Sequence, residues 1–127
     1  MKPYKGKPIT KCEGGGWIDT EGFIYSEFKR GRGLYEIIFT QREREPLEDY
    51  CEGARMDGIP CKVHKIAAGY HARIGEAENV AKEISLTPNW IRTKTRLAQI
   101  EKFKNTLLLP RKKLDIRIER ARKILGV

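Results

Sequence analysis

The sequence predicts an α+β domain with two layers, an antiparallel four-stranded sheet that carries its helices on one face. Two pairs of short segments alternate apolar and polar residues, and a glycine-containing turn interrupts each pair, as in antiparallel hairpins. Segments with helical periodicity precede, separate and follow the hairpins. Helices placed in this way cover one face of a sheet and leave the other to solvent or a partner.

A glycine-rich segment lies near the start of the chain. Residues 1–8 hold three lysines and two prolines and are predicted to be an extended basic arm. Ile9 to Asp19 follows as a short predicted helix, although it contains the three consecutive glycines of residues 14–16, each of which costs a helix about 1 kcal/mol relative to alanine. Such glycines indicate either a loose linker or a surface that another backbone approaches closely.

The first hairpin begins at Phe23, where the period changes to two. Alternate residues from Phe23 to Lys29 are predicted to face one side, and Ile24, Ser26 and Phe28 the other. Residues 31–33, Gly-Arg-Gly, indicate a turn. Leu34 to Thr40 is predicted to be the second strand.

A helix and a second hairpin are predicted next. Pro46 suits the first turn of a helix, and the apolar stripe that follows ends before Asp57 and Gly58. This stripe comprises Leu47, Tyr50, Cys51 and Ala54. Strands are predicted over residues 59–66 and 70–74, joined by a turn at residues 67–69.

Three further helices complete the prediction. The first has Ala77, Val80, Ala81 and Ile84 inward and ends at residues 87–88, where threonine precedes proline. The second covers residues 96–109. A basic amphipathic helix follows Pro110, with Leu114, Ile118, Ala121 and Leu125 on its packed side. The domain is therefore predicted to span residues 9–109, with the basic helix over residues 110–127.

The positive charge of the chain is concentrated in its last third. The chain holds 26 Lys and Arg against 17 Asp and Glu, a net charge of +9. Residues 1–87 carry 14 basic and 14 acidic side chains, whereas residues 88–127 carry 12 and 3, so they account for the whole surplus. Such a region suits a polyanionic partner, and a charged solvated surface is the alternative.

Other signals exclude several classes of protein. Cys12, Cys51 and Cys61 form no CxxC pair, which disfavours a zinc site or a secreted disulfide framework and favours buried reduced thiols. His64 and His71 also lack metal-ligand spacing. No window approaches about 18 apolar residues and the start lacks the apolar core of a signal peptide, so a cytoplasmic location is expected.

Residues 14–22, GGGWIDTEG, resemble the nonapeptide motif of the LAGLIDADG homing endonucleases. Gly16, Ile18, Asp19 and Gly22 match it, and Glu21 stands where the family has its second aspartate. The predicted element order, αββαββα from about Ile9 to Leu109, is also that of the family unit. The resemblance makes a loose linker the less favoured explanation of the glycines.

The resemblance implies a metal site and a dimer. In the family, motif helices from two units pack side by side, so one chain with one motif implies a homodimer that reads a near-palindromic site on double-stranded DNA. The implied dimer interface is Gly14, Gly15, Gly16 and Trp17. The carboxylate of Glu21 and the carbonyl of Gly22 are the implied ligands of Mg²⁺, a hard cation that prefers oxygen.

The resemblance also implies the other catalytic residues. Gln41 resembles the glutamine that orders water near the metal, and Arg44 lies near an arginine of some members. Lys94 resembles the lysine before the last family helix, whereas Arg92 and Arg96 are its rivals as phosphate contacts. Asp19 is assigned to structure rather than metal binding.

The exposed face of the predicted sheet suits the major groove, because an antiparallel ribbon fits there and base edges offer a distinct pattern of donors and acceptors. The candidate DNA contacts are Tyr25, Glu27, Lys29, Arg30, Arg32, Glu36, Thr40, Arg42, Lys62, His64, His71, Arg73, Arg92 and Arg96. The expected function is therefore a Mg²⁺-dependent homing endonuclease of a mobile intron. The alternatives are an intron RNA maturase and a cleavage-inactive DNA-binding protein of the same fold.

Overall fold

A computed structural model describes residues 11–87 and 91–127, with side chains described from residue 15 onward. The elements, in chain order, are α1 (Lys11–Thr20), β1 (Gly22–Lys29), β2 (Arg32–Gln41), α2 (Glu45–Met56), β3 (Lys62–Ile66), β4 (Gly69–Gly75), α3 (Ala77–Leu86), α4 (Lys94–Leu107) and α5 (Ile116–Leu125). The predicted arm at residues 1–8, the start of the first predicted helix and the proline at position 88 lie outside the described residues. The predicted division into arm, domain and C-terminal helix stays a prediction.

The four strands form one antiparallel sheet in the order β1-β2-β4-β3. Helices α1 to α4 pack against one face of it, and α5 packs on α3 and α4. Inward residues of the strands, such as Ile37, Phe39 and Ile74, are buried in the same cluster as Leu47 and Val80 of the helices. The predicted two-layer α+β fold, with helices on one face of a four-stranded antiparallel sheet, is confirmed.

The first hairpin turns earlier than the sequence predicts. Arg30 and Gly31 have φ values of 53° and 76°, and Lys29 pairs with Arg32. A two-residue turn with both φ values positive matches the right-handed twist of its strands. Strand β2 therefore begins two residues before the predicted Leu34.

The predicted helices are confirmed with shifted ends. Helix α2 buries its predicted stripe, and α3 ends at its cap Thr87. Helix α4 starts at Lys94, because the side chain of Thr93 accepts a hydrogen bond from the N–H of Arg96 and caps it. The prediction for Leu114 is wrong: it lies before α5 and is 85% exposed, since Asp115 caps that helix.

The prediction of reduced thiols is wrong for two of the three cysteines. Cys51 of α2 and Cys61 before β3 form a disulfide. The N–H of Ile59 binds the carbonyl of Ala54, so the chain folds back from the end of α2 and brings the two cysteines together. Strand β3 consequently begins at Lys62, not at the predicted Ile59. No helix among the described residues is long and apolar enough to cross a membrane.

Loss of this disulfide should lower stability, because it closes a loop with a sequence separation of 10 residues. From chain entropy, the double substitution Cys51→Ser and Cys61→Ser is expected to reduce the free energy of unfolding by about 2–3 kcal/mol. Urea unfolding of the two proteins measures the difference. Reductant should lower the midpoint of the wild type and leave that of the double variant unchanged; equal midpoints for oxidised and reduced wild type would contradict the prediction.

Candidate functional site

Glu21 and Gln41 meet at one end of the sheet. Glu21 lies between α1 and β1, and its N–H donates to the carbonyl of Trp17 at 2.8 Å, which continues the helical pattern. Gly22 pairs with Phe39 of β2, so the end of β2 lies beside Glu21. The amide Nε2 of Gln41 donates to Oε2 of Glu21 at 3.2 Å. The exposed carboxylate of Glu21 is thus held by the hydrogen bond from Gln41.

Gly22 allows α1 to end directly on the sheet. A Cβ at this position would lie 2.8 Å from Cε1 of Phe39 and 3.0 Å from the Cα and carbonyl oxygen of Ile18. A side chain here would therefore push the end of α1 away from β2. The glycine after the acidic residue has a steric explanation.

Gly69 likewise allows close packing of the backbone, here beside Gln41. Its φ is 140°, and a Cβ there would lie 2.5 Å from the carbonyl oxygen of Gln41. The start of β4 therefore packs against the backbone of Gln41. From the sequence, Gly69 was predicted only to lie in a turn; a glycine directly before a predicted strand was the signal that another backbone comes close.

Asp19 joins the end of α1 to the start of α4. Its Oδ1 accepts hydrogen bonds from the N–H groups of Arg92, at 3.0 Å, and Thr93, at 2.7 Å. Burial raises the pKa of this carboxyl, but the hydrogen bonds from Thr93 and Arg92, with the nearby charge of Arg96, outweigh it and hold the pKa below its ordinary value. Asp19 therefore has a structural role, and its partner Thr93 was not predicted.

Lys94 and Arg44 differ in their relation to Glu21. Lys94 is exposed and follows Thr93 directly, so its backbone is held at the corner that Asp19 fixes. Arg44 directs its Nε to Glu48 on α2 at 3.0 Å. Among the described residues, the structure gives no contact between Arg44 and Glu21 or Gln41.

The strand residues that point away from the helices form the surface that we call the outer face. Strand register arranges them in rows across the sheet. One row is Phe23, Ile38, Arg73 and Lys62, a second is Thr40, His71 and His64, and a third begins with Tyr25 and Glu36. Glu27, Leu34, Lys29 and Arg32 extend the outer face along the first hairpin.

Both carboxylates of the outer face have partners. Glu27 accepts a hydrogen bond from the hydroxyl of Tyr25 and pairs with Lys29 at 2.7 Å. Glu36 forms an ion pair with Arg73. The rings of His64 and His71 are 5.3 Å apart, edge to face. The outer face thus has an excess of basic side chains, and it also exposes the apolar side chains of Phe23 and Leu34.

The remaining predicted contacts lie in loops or at the start of α4 and do not belong to the outer face. Arg30 is in the hairpin turn, and Arg42 is exposed just after β2. Arg92 is exposed before α4. Arg96 is held within the chain: its Nε donates to the carbonyl of Ile18 at 3.0 Å and its Nη1 to Gln99 at 3.2 Å.

The four residues of the predicted dimer interface lie in α1, and the side chains from Gly15 onward are described. Gly15 is buried, and the ring of Trp17 packs edge-on against Phe39 with 6.3 Å between centroids. A Cβ at Gly16 would meet no described atom within 4 Å. The helix therefore exposes its backbone at Gly16. The interface itself stays a prediction.

Fold and site together define the class of this chain: a small α+β domain whose first helix ends in an exposed carboxylate beside a polar sheet face. No protein-family model matches the sequence, and no curated protein matches it. Among solved structures, it is similar to a mesophilic variant of the homing endonuclease I-DmoI, with 14% identity and a TM-score of 0.46 over 87% of this chain and 52% of that chain. The chain thus spans about half the length of that protein.

A second similar structure is a variant of I-DmoI in complex with its target DNA, in the presence of 2 mM Mn. It has 15% identity and a TM-score of 0.45, over 76% of this chain and 74% of that chain.

Removal of the Asp19 carboxylate should destabilise the corner that holds Glu21. Asp19→Ala leaves two backbone N–H groups without their acceptor, so the free energy of unfolding should fall by about 1–2 kcal/mol. Because the folded pKa is lower than the ordinary value of 3.8, this stabilisation is present above pH 3.8 and is lost as the pH falls through the folded pKa. The difference between variant and wild type should therefore shrink in acid.

Urea unfolding between pH 7 and pH 3 measures this difference. Glu101→Ala, an exposed acid on α4, is the control and should unfold like the wild type. A pH-independent difference for Asp19→Ala would show that the carboxylate charge is not responsible.

Proposed function

We propose that this chain is a site-specific double-strand DNA endonuclease of the LAGLIDADG type, which serves intron homing. The observation that supports it best is the exposed carboxylate of Glu21, held by Gln41 at the end of the sheet whose outer face carries the predicted DNA contacts. Phosphodiester hydrolysis needs an activated water and compensation of the charge that develops on the phosphate. The proposal assigns these tasks to the corner formed by α1, β2 and α4.

The oxygen donors at this corner fit a hard divalent cation. A Mg²⁺ ion would be held by the Glu21 carboxylate and the Gly22 carbonyl, with other positions left for water and phosphate. The described residues contain no group of three or more His, Cys, Asp or Glu that could hold a metal. In this proposal water, DNA phosphate and the second chain supply the other ligands. When bound, the cation would neutralise phosphate charge and lower the pKa of a coordinated water.

The protein side chains orient the reacting groups. Gln41 restrains the Glu21 carboxylate through its Nε2, and its amide oxygen remains able to accept a hydrogen bond from water. Lys94 supplies a positive charge at the corner fixed by Asp19, where it would stabilise the phosphate in the transition state. Arg44 would assist only if it left Glu48 when DNA binds.

A homodimer supplies the second active site that a double-strand cut requires. In this proposal the α1 helices of two chains pack against each other around Gly16, where the added Cβ meets no described atom. Gly14, Gly15 and Trp17 complete the proposed interface. Twofold symmetry then pairs the two outer faces with the halves of a near-palindromic DNA site.

Substitution of Glu21 tests the nuclease proposal. Purified protein with Mg²⁺ or Mn²⁺ is incubated with plasmid DNA carrying the intron-free junction, and linear product is measured. Glu21→Gln should lower the cleavage rate by about 100-fold or more, and Gln41→Ala by about 10- to 100-fold, because they remove a ligand and its orienting partner. Glu101→Gln, on α4, is the matched control and should cleave like the wild type.

The outcomes separate the alternative functions. DNA left uncut by the wild type with either cation would overturn the endonuclease proposal. If that protein binds the junction tightly, it is a cleavage-inactive DNA-binding protein. If it accelerates splicing of the intron RNA instead, it is a maturase.

The outer face should contribute to DNA affinity in a salt-dependent way. Lys62→Gln removes an exposed charge from the row that contains Arg73, whereas Lys102→Gln removes one from α4 in the helical layer. Without divalent cation, the slope of log affinity against log salt should decrease by about 1 for Lys62→Gln and remain unchanged for Lys102→Gln. Fluorescence anisotropy with labelled duplex DNA measures both slopes. Equal slopes for the two variants would argue against contact through the outer face.

A further inference from the structure

The end of the sheet opposite Glu21 contains an arginine-lined cleft. The last β2–β4 pair is Glu36 with Gly75, so residues 32–35 of β2 pair only with β1 among the described strands. The segment that leads into α5 lies along this free edge and leaves a cleft of about 390 Å³. Its charged lining residues are Arg32, Arg73, Arg111, Arg117, Glu76 and Asp115.

Both acidic residues of the cleft already have partners within the chain, one through a hydrogen bond and the other through an ion pair. Oδ1 of Asp115 accepts the N–H of Arg117 at 3.0 Å and caps α5. Glu76 pairs with Nη1 of Arg117 at 3.1 Å. Arg32 and Arg111, in contrast, have no carboxylate within 4.0 Å among the described residues. The lining thus carries two more positive than negative charges.

Arg111 is held in place without an anionic partner. Its Nη2 donates to the hydroxyl of Tyr35 at 2.7 Å and to the carbonyl of Thr106 at 3.0 Å, and its guanidinium lies 4.1 Å from the ring centre of Phe28. Its buried Nε has no hydrogen-bond partner among the described residues. Because Arg111 also has no carboxylate partner, its positive charge is uncompensated locally, and the arrangement favours an anion beside the guanidinium.

A glycine contributes to this arrangement. A Cβ at Gly33 would lie 2.6 Å from the hydroxyl oxygen of Tyr35. The absence of a side chain therefore lets the Tyr35 ring lie over the β2 backbone, where its hydroxyl meets Arg111.

We propose that this cleft binds a phosphate group. Guanidinium groups bind phosphate oxygens through paired, charge-assisted hydrogen bonds, and Arg32 and Arg111 are the arginines of the cleft that lack a carboxylate. Arg32 and Arg73 belong to both the cleft and the outer face, so a backbone phosphate of DNA lying on that face can enter the cleft. The DNA backbone as the source of the phosphate rests on the proposed function. The alternative source is a free phosphate compound, and it does not depend on that function.

The first arm of the test uses inorganic phosphate and no DNA. Phosphate, compared with chloride at equal ionic strength, should raise the thermal midpoint of the wild type. Arg32→Gln should need about tenfold more phosphate for the same rise, because one guanidinium is lost. The matched control is Arg120→Gln, on α5 beside Glu78 at 3.7 Å and outside the cleft, which should respond like the wild type.

The second arm identifies the source of the phosphate. If the DNA backbone enters the cleft, Arg32→Gln should lower the salt slope of duplex binding by about 1, measured without divalent cation. If the ligand is a free phosphate compound, the variant loses phosphate binding and keeps the wild-type slope. An identical phosphate response in Arg32→Gln, Arg120→Gln and wild type would overturn the inference.

This test is independent of the nuclease. Glu21→Gln should respond to phosphate like the wild type even though its cleavage is expected to be about 100-fold slower. If the protein binds phosphate in the cleft but cuts no DNA, the endonuclease proposal is overturned and the phosphate site stands. If it cuts DNA but shows no response to phosphate, the phosphate site is overturned and the endonuclease proposal stands.

Discussion

The contact between the Asp19 carboxylate and the start of α4 is the constraint on which the candidate site depends. It joins groups 73 and 74 residues apart in the sequence, through two backbone N–H donors that share Oδ1 of Asp19 as their acceptor. Glu21 follows Asp19 by two residues, and Lys94 follows Thr93 directly. One interaction therefore fixes both the proposed metal ligand and the proposed phosphate-stabilising cation. The bond from Arg96 to the carbonyl of Ile18 reinforces the same corner.

Glycines set the geometry at both ends of β2. At one end Gly22 admits Phe39 and the last turn of α1, and Gly69 admits the carbonyl of Gln41; at the other end Gly33 admits the ring of Tyr35. In each case the missing side chain lets a specific neighbour approach closely, beside a residue of one of the proposed sites, Gln41 or Arg111. These glycines allow close packing, which is a stricter requirement than the flexibility usually attributed to the residue.

Local patterns predicted most of this fold, and tertiary packing explains what they missed. The stripe of α2 and the alternation of the hairpins were readable because one side of each element faces the core. Glu83 is buried, which was not predicted. It is buried because α3 packs against both the sheet and α5 and so buries more than one stripe. Burial raises the pKa of Tyr50, and the nearby Glu83 carboxylate raises it further. The Cys51–Cys61 bond depends on the path of the chain after α2, which ten residues of spacing do not specify.

At the candidate site, the resemblance assigned Glu21 and Gln41 to one metal site, but the hydrogen bond between them was not predicted, since 20 residues and a whole hairpin separate them. The hairpin turn at Arg30 and Gly31 was missed because a non-glycine residue rarely adopts a positive φ. That two-residue turn extends β2 to Arg32 and so creates the free edge of the cleft.

The basic surplus of residues 88–127 is a weaker indicator of direct contacts than its size suggests. Arg96, Arg111 and Arg122 each donate to backbone carbonyls of the same chain, which commits their guanidinium groups to local geometry. Neutral acceptors do not cancel their charge, however, so these arginines still contribute to the positive field around the protein. Attraction of a polyanion at a distance and contact with it therefore depend on different residues. The field comes largely from the C-terminal helices, whereas the proposed DNA contacts depend on side chains of the outer face, which include Arg32, and on Lys94.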